Sequence, residues 1–250
     1  MMTDLTAQYL KETTTRLERL AEPNEAIDAA VALVADALEA GGVIQAFGTG
    51  HSEAFAMEIA GRAGGLIATN KLQLRTLVLR GDRGVSDLGG AEFERDPNIG
   101  ENLLALFDIQ PHDVFIIASN SGVNGSILGV ALAAKARGHK VIAVTSMDHT
   151  MRVTPKHPSG KRLSDVADVV IDNLAPFGDS TMTLDDGTGI GAVSSITAAF
   201  IAQRITIGVA DTMRQRGKKP PVYISANIPG SDEHNRALED LYGERIRREA

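Results

Sequence analysis

The sequence predicts a three-layer α/β fold around a parallel sheet, and three features carry that expectation. Short apolar runs alternate with longer runs at helical spacing. The clearest apolar run, Val114–Ala118, has no polar face at all. Several of these runs end directly in a turn rich in glycine and serine. Strands apolar on both faces and interleaved with helices indicate a parallel sheet covered on both sides. In such sheets, ligands bind beyond the carboxyl ends of the strands.

The elements follow in order. Residues 4–20 read as a polar amphipathic helix, and Pro23 and Asn24 then punctuate the chain. Asn24 is placed to cap a second helix running to Glu39, with Ile27, Val31, Val34 and Leu38 on one face and Gly41-Gly42 as its stop. Strands are expected at 43–47, 74–79, 114–118, 140–144 and 166–171. Helices are expected at 53–63, 99–107 and 126–137, followed by one long apolar helix at 190–213. That last helix is apolar almost all round, so it must be buried, with another subunit as one way of covering it. Residues 80–98, 146–163 and 172–188 lack regular patterning, and loops of that length in a compact domain are often functional. The tail, 218–250, carries a short β-like patch at 222–225 and then a charged helix. No linker-like composition divides the chain, so one domain is expected, with a core at about 30–215 and with helices 4–39 and the tail as appendages.

Composition narrows the function classes. The chain has 250 residues, 43% hydrophobic and 23% charged, ordinary for a soluble globular protein. It has no cysteine, so disulfides and thiolate metal sites are excluded. A formal charge of −7 argues against a nucleic-acid partner. The polar N-terminus is no signal peptide, and no apolar run approaches 18 residues, so a cytoplasmic protein with no membrane partner is expected.

Two turns stand out. Gly48-Thr49-Gly50-His51-Ser52 follows the first strand, where glycines allow close approach and the next helix offers free N–H groups to an anion. Its bland alternative is a strand-to-helix turn with no ligand. A dinucleotide fingerprint needs glycine at position 53, where Glu53 stands, and a Walker A loop fails because Arg162 follows Gly160-Lys161. Ser119-Asn120-Ser121-Gly122-Val123-Asn124 follows the third strand and sets short polar side chains around a glycine at a helix start. Such groups are neutral donors for phosphate oxygens, or simple helix caps. Thr145-Ser146 after the fourth strand adds hydroxyls at the same sheet edge. In the long loop 146–163, His157 with Lys156, Lys161 and Arg162 is either an anion clamp or a solvated loop. His51, Asp87, Glu92 and Asp179 lack metal-ligand spacing, so no metal and no cofactor are assigned.

The combination of GTGHS and SNSGVNGS, with the long apolar helix after the last strand, resembles the sugar isomerase (SIS) domain family over roughly residues 30–215. Within it the chain looks like the UPF0309-like bacterial proteins, through Arg62-Ala63-Gly64-Gly65-Leu66, the HPSGKRL stretch at 157–163, the DNLAPFGD loop at 172–179 and Asp232-Glu233-His234-Asn235. The resemblance implies a five-stranded sheet in flavodoxin-like order, a homodimer or higher homo-oligomer, and a bound phosphosugar. It implies phosphate contacts from Ser52, Ser119, Ser121 and Asn124, with backbone access at Gly50 and Gly122; Asn124 stands where Ser or Thr is usual. Gly48, Thr49, Asn120, Thr145, Ser146 and Lys161 complete the expected binding set. Aldose–ketose isomerisation needs a base and a ring-opening group. By resemblance the base is Glu58 and the ring-opening group His234, with His51 in the first turn as a third acid–base candidate. The expected function is an isomerase acting on an anionic sugar. A sugar-phosphate sensor and a lyase or deglycase are the alternatives.

Overall fold

The computed structural model describes residues 4–247. Helices α1 (Asp4–Ala21) and α2 (Glu25–Glu39) lead into β1 (Ile44–Gly48), α3 (Glu53–Ile59) and β2 (Thr69–Leu72). Then come α4 (Ile99–Leu104), β3 (Val114–Ala118), α5 (Gly125–Ala136), β4 (Lys140–Thr145), β5 (Val169–Asp172), α6 (Ser194–Gln215) and α7 (Ser231–Glu239). The five strands form one parallel sheet in the order β2-β1-β3-β4-β5, as the family resemblance implied.

Alternating residues of the central strands feed two separate cores. Ile44, Ala46, Ile116 and Ile142 face α2, α3 and α6, while Phe47, Phe115, Ile117 and Val141 face α4 and α5. All eight are completely buried. Each large side chain of this kind contributes about 1.5–3 kcal/mol relative to exposure, so the sheet's position between the layers is strongly determined. Asn24 caps α2 as expected, its Oδ1 accepting from the Ala26 and Ile27 amides.

Four expectations need correction. The second strand is Thr69–Leu72, not 74–79; Thr76–Leu79 is a single helical turn. The strand is polar in sequence, but Asn70 is buried and satisfied by the tail, donating to the Arg245 carbonyl and accepting from the Arg247 amide. The fifth strand starts at Val169 rather than 166 because Leu163–Val166 forms a helical turn and Asp168 bonds to Val141 through both its backbone and its carboxylate. Helix α3 stops at Ile59, not 63. Beyond it Gly64 and Gly65 pair with Tyr223, leaving Leu66 and Val222 as an isolated bridge where a β-like patch was expected. The long helix begins at Ser194 rather than 190, because Gly189–Ile190 pairs with Met182–Thr183 as a small antiparallel ribbon. One face of α6 is buried against α1, α2 and α3, while Ile196 and Ile207 remain exposed on the other.

Candidate functional site

The first turn folds back over the end of β1. A Cβ on Gly48 would lie 2.3 Å from the Ser52 carbonyl oxygen, so only glycine permits this closeness. Gly50 adopts φ +56°, in the left-handed region. The turn presents exposed His51 and half-buried Ser52 to a cleft at the carboxyl ends of β1 and β3. Among the described residues, neither side chain has a hydrogen-bond partner.

The second turn forms the facing wall. The Ser119 hydroxyl accepts from the Gly122 amide at 3.1 Å, and Gly122 itself has φ +62°. The Asn120 side chain accepts from Asn173 Nδ2 at 3.1 Å, which ties this turn to the loop after β5. Ser119, Asn120 and Asn173 line the cleft together with Ser194 and Ser195 at the start of α6. Half-buried Ser121 lies beside these residues without lining the cleft, and its hydroxyl has no partner among the described residues.

The third turn has a different role. Thr145 and Ser146 are buried, and their hydroxyls donate to the Asn120 and Ala175 carbonyls. They brace the neighbouring loops rather than face the cleft. The loop after β5 carries backbone strain: Leu174 (φ 59°) and Asp179 (φ 53°) are both left-handed. Strain of this kind collects at functional sites when neighbours over-determine it. Here Asn173 accepts from the Ala175 amide, and Arg16 of α1 donates to the Leu174 carbonyl. Asp179 accepts from the Val193 and Ser194 amides and from the Ser194 hydroxyl, which sets the start of α6 against the cleft.

Other expected residues lie apart. The cations around His157 diverge: Arg162 donates to the Thr150 and Val153 carbonyls, Lys161 is exposed and off the cleft wall, and Lys156 donates to Asn124 Oδ1 of the second turn at 3.4 Å. His157 lies in a groove against Pro97, where burial lowers its pKa although the Pro97 backbone partly offsets this. Glu58 pairs with Arg62 and accepts from Gln203 Nε2 at 2.8 Å, and it is not part of the cleft wall. His234 contacts the Val222 carbonyl at 3.1 Å, beside the bridge to Leu66 that precedes β2. That is the edge where the strands begin, opposite the cleft. Among the described residues no three His, Cys, Asp or Glu side chains gather as a metal site, and Asp179 is committed to α6.

The wall therefore consists of hydroxyls, amides, one imidazole and apolar surface from Phe55 and Ala198. Sequence reasoning missed Asn173, Ser194, Ser195 and Glu94. Asn173 lay inside a quoted motif, and the serine pair opens a long helix. Glu94 had no signal, because it lies in a stretch without periodicity.

A family model for the SIS domain matches residues 8–146. The chain belongs to the SIS domain family. It is 37% identical to the UPF0309 protein lmo0025 of Listeria monocytogenes over 94% of this chain and 95% of that one. It is 33% identical to a UPF0309 protein of Geobacillus kaustophilus over 96% and 94%. Among solved structures, a phosphoheptose isomerase from Francisella tularensis superposes with a TM-score of 0.57 at 18% identity, covering 84% of this chain and all of that one. The phosphoheptose isomerase of Neisseria gonorrhoeae gives 0.52 at 19%, covering 82% and 95%. These likenesses establish a SIS fold. Among the described residues no helix is long and apolar enough to cross a membrane.

Proposed function

We propose that this SIS-domain protein binds a phosphorylated sugar in the cleft between the 48–52 and 119–124 turns. The observation that carries the reading is the convergence of unpartnered donors at one sheet edge: Ser52 and Ser195 on the cleft wall, with Ser121 beside it. Unpartnered hydroxyls and turn amides suit phosphate oxygens without a fixed cation. The two phosphoheptose isomerases among the structural neighbours are consistent with this ligand class. The protein is read as cytoplasmic, as phosphorylated sugars are.

We further propose turnover between aldose and ketose through a cis-enediol, in which a proton moves between adjacent carbons. In this reading His51, which lines the cleft, takes up and returns that proton. Glu58 and His234 join the chemistry in a homodimer or larger homo-oligomer that packs a second copy near α3 and α6. Met57, Ile196 and Ile207 leave apolar surface there. One observation favours a second reading, a sugar-phosphate sensor: among the described residues, the cleft wall carries no carboxylate.

The test is proton exchange. The protein is incubated with a panel of aldose phosphates in deuterated water, and loss of the proton at C2 is followed by NMR. Exchange by wild type, abolished in Glu58→Gln and His51→Asn, supports isomerisation. Tight binding without exchange for every sugar supports the sensor. Absence of binding to any sugar phosphate removes both.

A further inference from the structure

The two ligand turns are joined by a carboxylate that neither turn contains. Glu94 sits on a helical turn, Glu92–Arg95, that lies directly on the start of α5. A Cβ on Gly125 would meet the Arg95 carbonyl oxygen at 1.9 Å, and the Ser126 hydroxyl donates to the Glu94 carbonyl at 2.6 Å. This holds the Glu94 backbone in place. Its carboxylate then divides its work. Oε1 accepts from the Thr49 hydroxyl at 2.9 Å and from Asn124 Nδ2 at 2.6 Å, one donor from each turn. Oε2 accepts from nothing among the described residues and lies 3.7 Å from where a Cβ on Gly50 would stand. A carboxylate pinned through one oxygen cannot swing away, so Oε2 stays directed at the glycine turn.

We propose that Glu94 Oε2 is a hydroxyl-reading group that selects a polyol over a bare anion at this site. This rests on the sugar-phosphate reading of the cleft. Gly50 leaves room beside Oε2, and it also lines an open groove whose charged residues are Glu53 and Arg75. Arg75 is already paired with Glu53 at 2.7 Å and Lys156 is turned to Asn124 Oδ1 at 3.4 Å, so Oε2 is the local negative charge that a ligand beside Gly50 meets. A second phosphate or a carboxylate there is repelled, whereas a sugar hydroxyl donates to Oε2 and gains a charge-assisted bond. Occupation of Thr49 and Asn124 by Oε1 also keeps the ligand's phosphate on the Ser52, Ser119 and Ser121 side. The class of ligand this selects is a monophosphorylated sugar, neutral and hydroxylated at the end away from its phosphate.

Glu94→Gln separates this role from loop bracing. Its carbonyl oxygen still accepts from Thr49 and Asn124, while an amide N–H₂ replaces Oε2. Calorimetric titrations of wild type and variant use inorganic phosphate and a panel of C5 to C7 aldose phosphates. They also include monodeoxy analogues of the tightest binder. Wild type is expected to bind one sugar phosphate at least tenfold more tightly than phosphate and to lose about tenfold for one deoxy analogue. Glu94→Gln is expected to lose about tenfold for the parent sugar, to stop distinguishing that deoxy analogue, and to keep phosphate affinity within about twofold. Retained phosphate binding shows that both turns are intact. An unchanged sugar-to-phosphate ratio in the variant, or equal weakening of both ligands, overturns the role of Glu94 and leaves the cleft reading standing. If the variant does not fold, a wild-type protein indifferent to every deoxy analogue also overturns it. Binding of neither ligand by wild type overturns both readings.

Discussion

Asp113 offers the sharpest test of how the site's frame is held. It stands one residue before β3, and its side chain has no exposed surface. Its carboxylate accepts four hydrogen bonds. Oδ1 takes the Val43 amide at 2.8 Å and Arg245 at 2.7 Å; Oδ2 takes Gln45 Nε2 at 2.9 Å and the Gln110 amide at 3.1 Å. These bonds lock the start of β1 to the start of β3, the two strands whose far ends carry the 48–52 and 119–124 turns. Asp113→Asn is nearly isosteric, yet in either amide orientation an N–H₂ group faces two donors. Two buried bonds to a charged acceptor are lost and their donors stranded, at about 1.5–3 kcal/mol each, or about 3–5 kcal/mol after relaxation. Arg245→Ala removes one of the four donors to Asp113; Arg245 is itself 23% exposed, so its loss should cost about 1–2 kcal/mol while releasing the tail. Urea unfolding followed by circular dichroism measures both. At roughly 2–4 °C per kcal/mol for a chain of this size, Asp113→Asn should lower Tm by about 6–20 °C. A loss below about 1 kcal/mol, or one smaller than that of Arg245→Ala, would refute this account of the carboxylate.

Ser52→Ala and Ser121→Ala should each weaken sugar-phosphate binding by about 1 kcal/mol or more, roughly fivefold, in calorimetric titration; unchanged affinity removes that turn from the anion site. Gly122→Ala places a Cβ at φ +62°, within 3.0 Å of Thr150 Oγ1 and 3.1 Å of Thr145 Oγ1. It should cost about 1–2 kcal/mol of stability by thermal unfolding and weaken the same ligand. Burial pushes the Asp168 pKa up, but hydrogen bonds from Lys135, the Val141 amide and Lys140 outweigh it, and the net shift is downward. Its stabilising contribution is therefore present above about pH 4 and is lost as pH falls through its lower folded value. Asp168→Asn should lower Tm at pH 7 and flatten the acid limb of the Tm–pH curve; an acid limb parallel to wild type would contradict the linkage.

Legibility in the sequence followed how local the cause was. Strand β3 and helix α2 were readable because apolar continuity and an N-cap act within a few residues. The turns at 48–52 and 119–124 were readable for a related reason: a glycine with polar neighbours directly after an apolar strand defines its own backbone. Strand β2 was not readable, because the buried Asn70 amide is satisfied by the tail, 175 residues away in the chain. Leu74 to Leu79 offered a more apolar strand than the real one.

The candidate site divides along the same line. Apart from β2, the order of strands, their parallel sheet and the turns that carry Ser52, Ser119 and Ser121 were legible in sequence alone, since apolar periodicity and turn chemistry are local. Which hydroxyls stay free was decided only by tertiary structure. Thr145, Ser146, Ser121 and Ser52 look equivalent in sequence, yet Thr145 and Ser146 are bonded to neighbouring carbonyls while Ser52 and Ser121 have no partner among the described residues. The same holds for the acid–base side chains. Glu58 is drawn to Arg62 and Gln203, His234 to the opposite sheet edge, and Glu94, from a stretch without pattern, to the seam between the two turns. A side chain's availability depends on which distant groups reach it first, and that is set by packing across strands rather than along them.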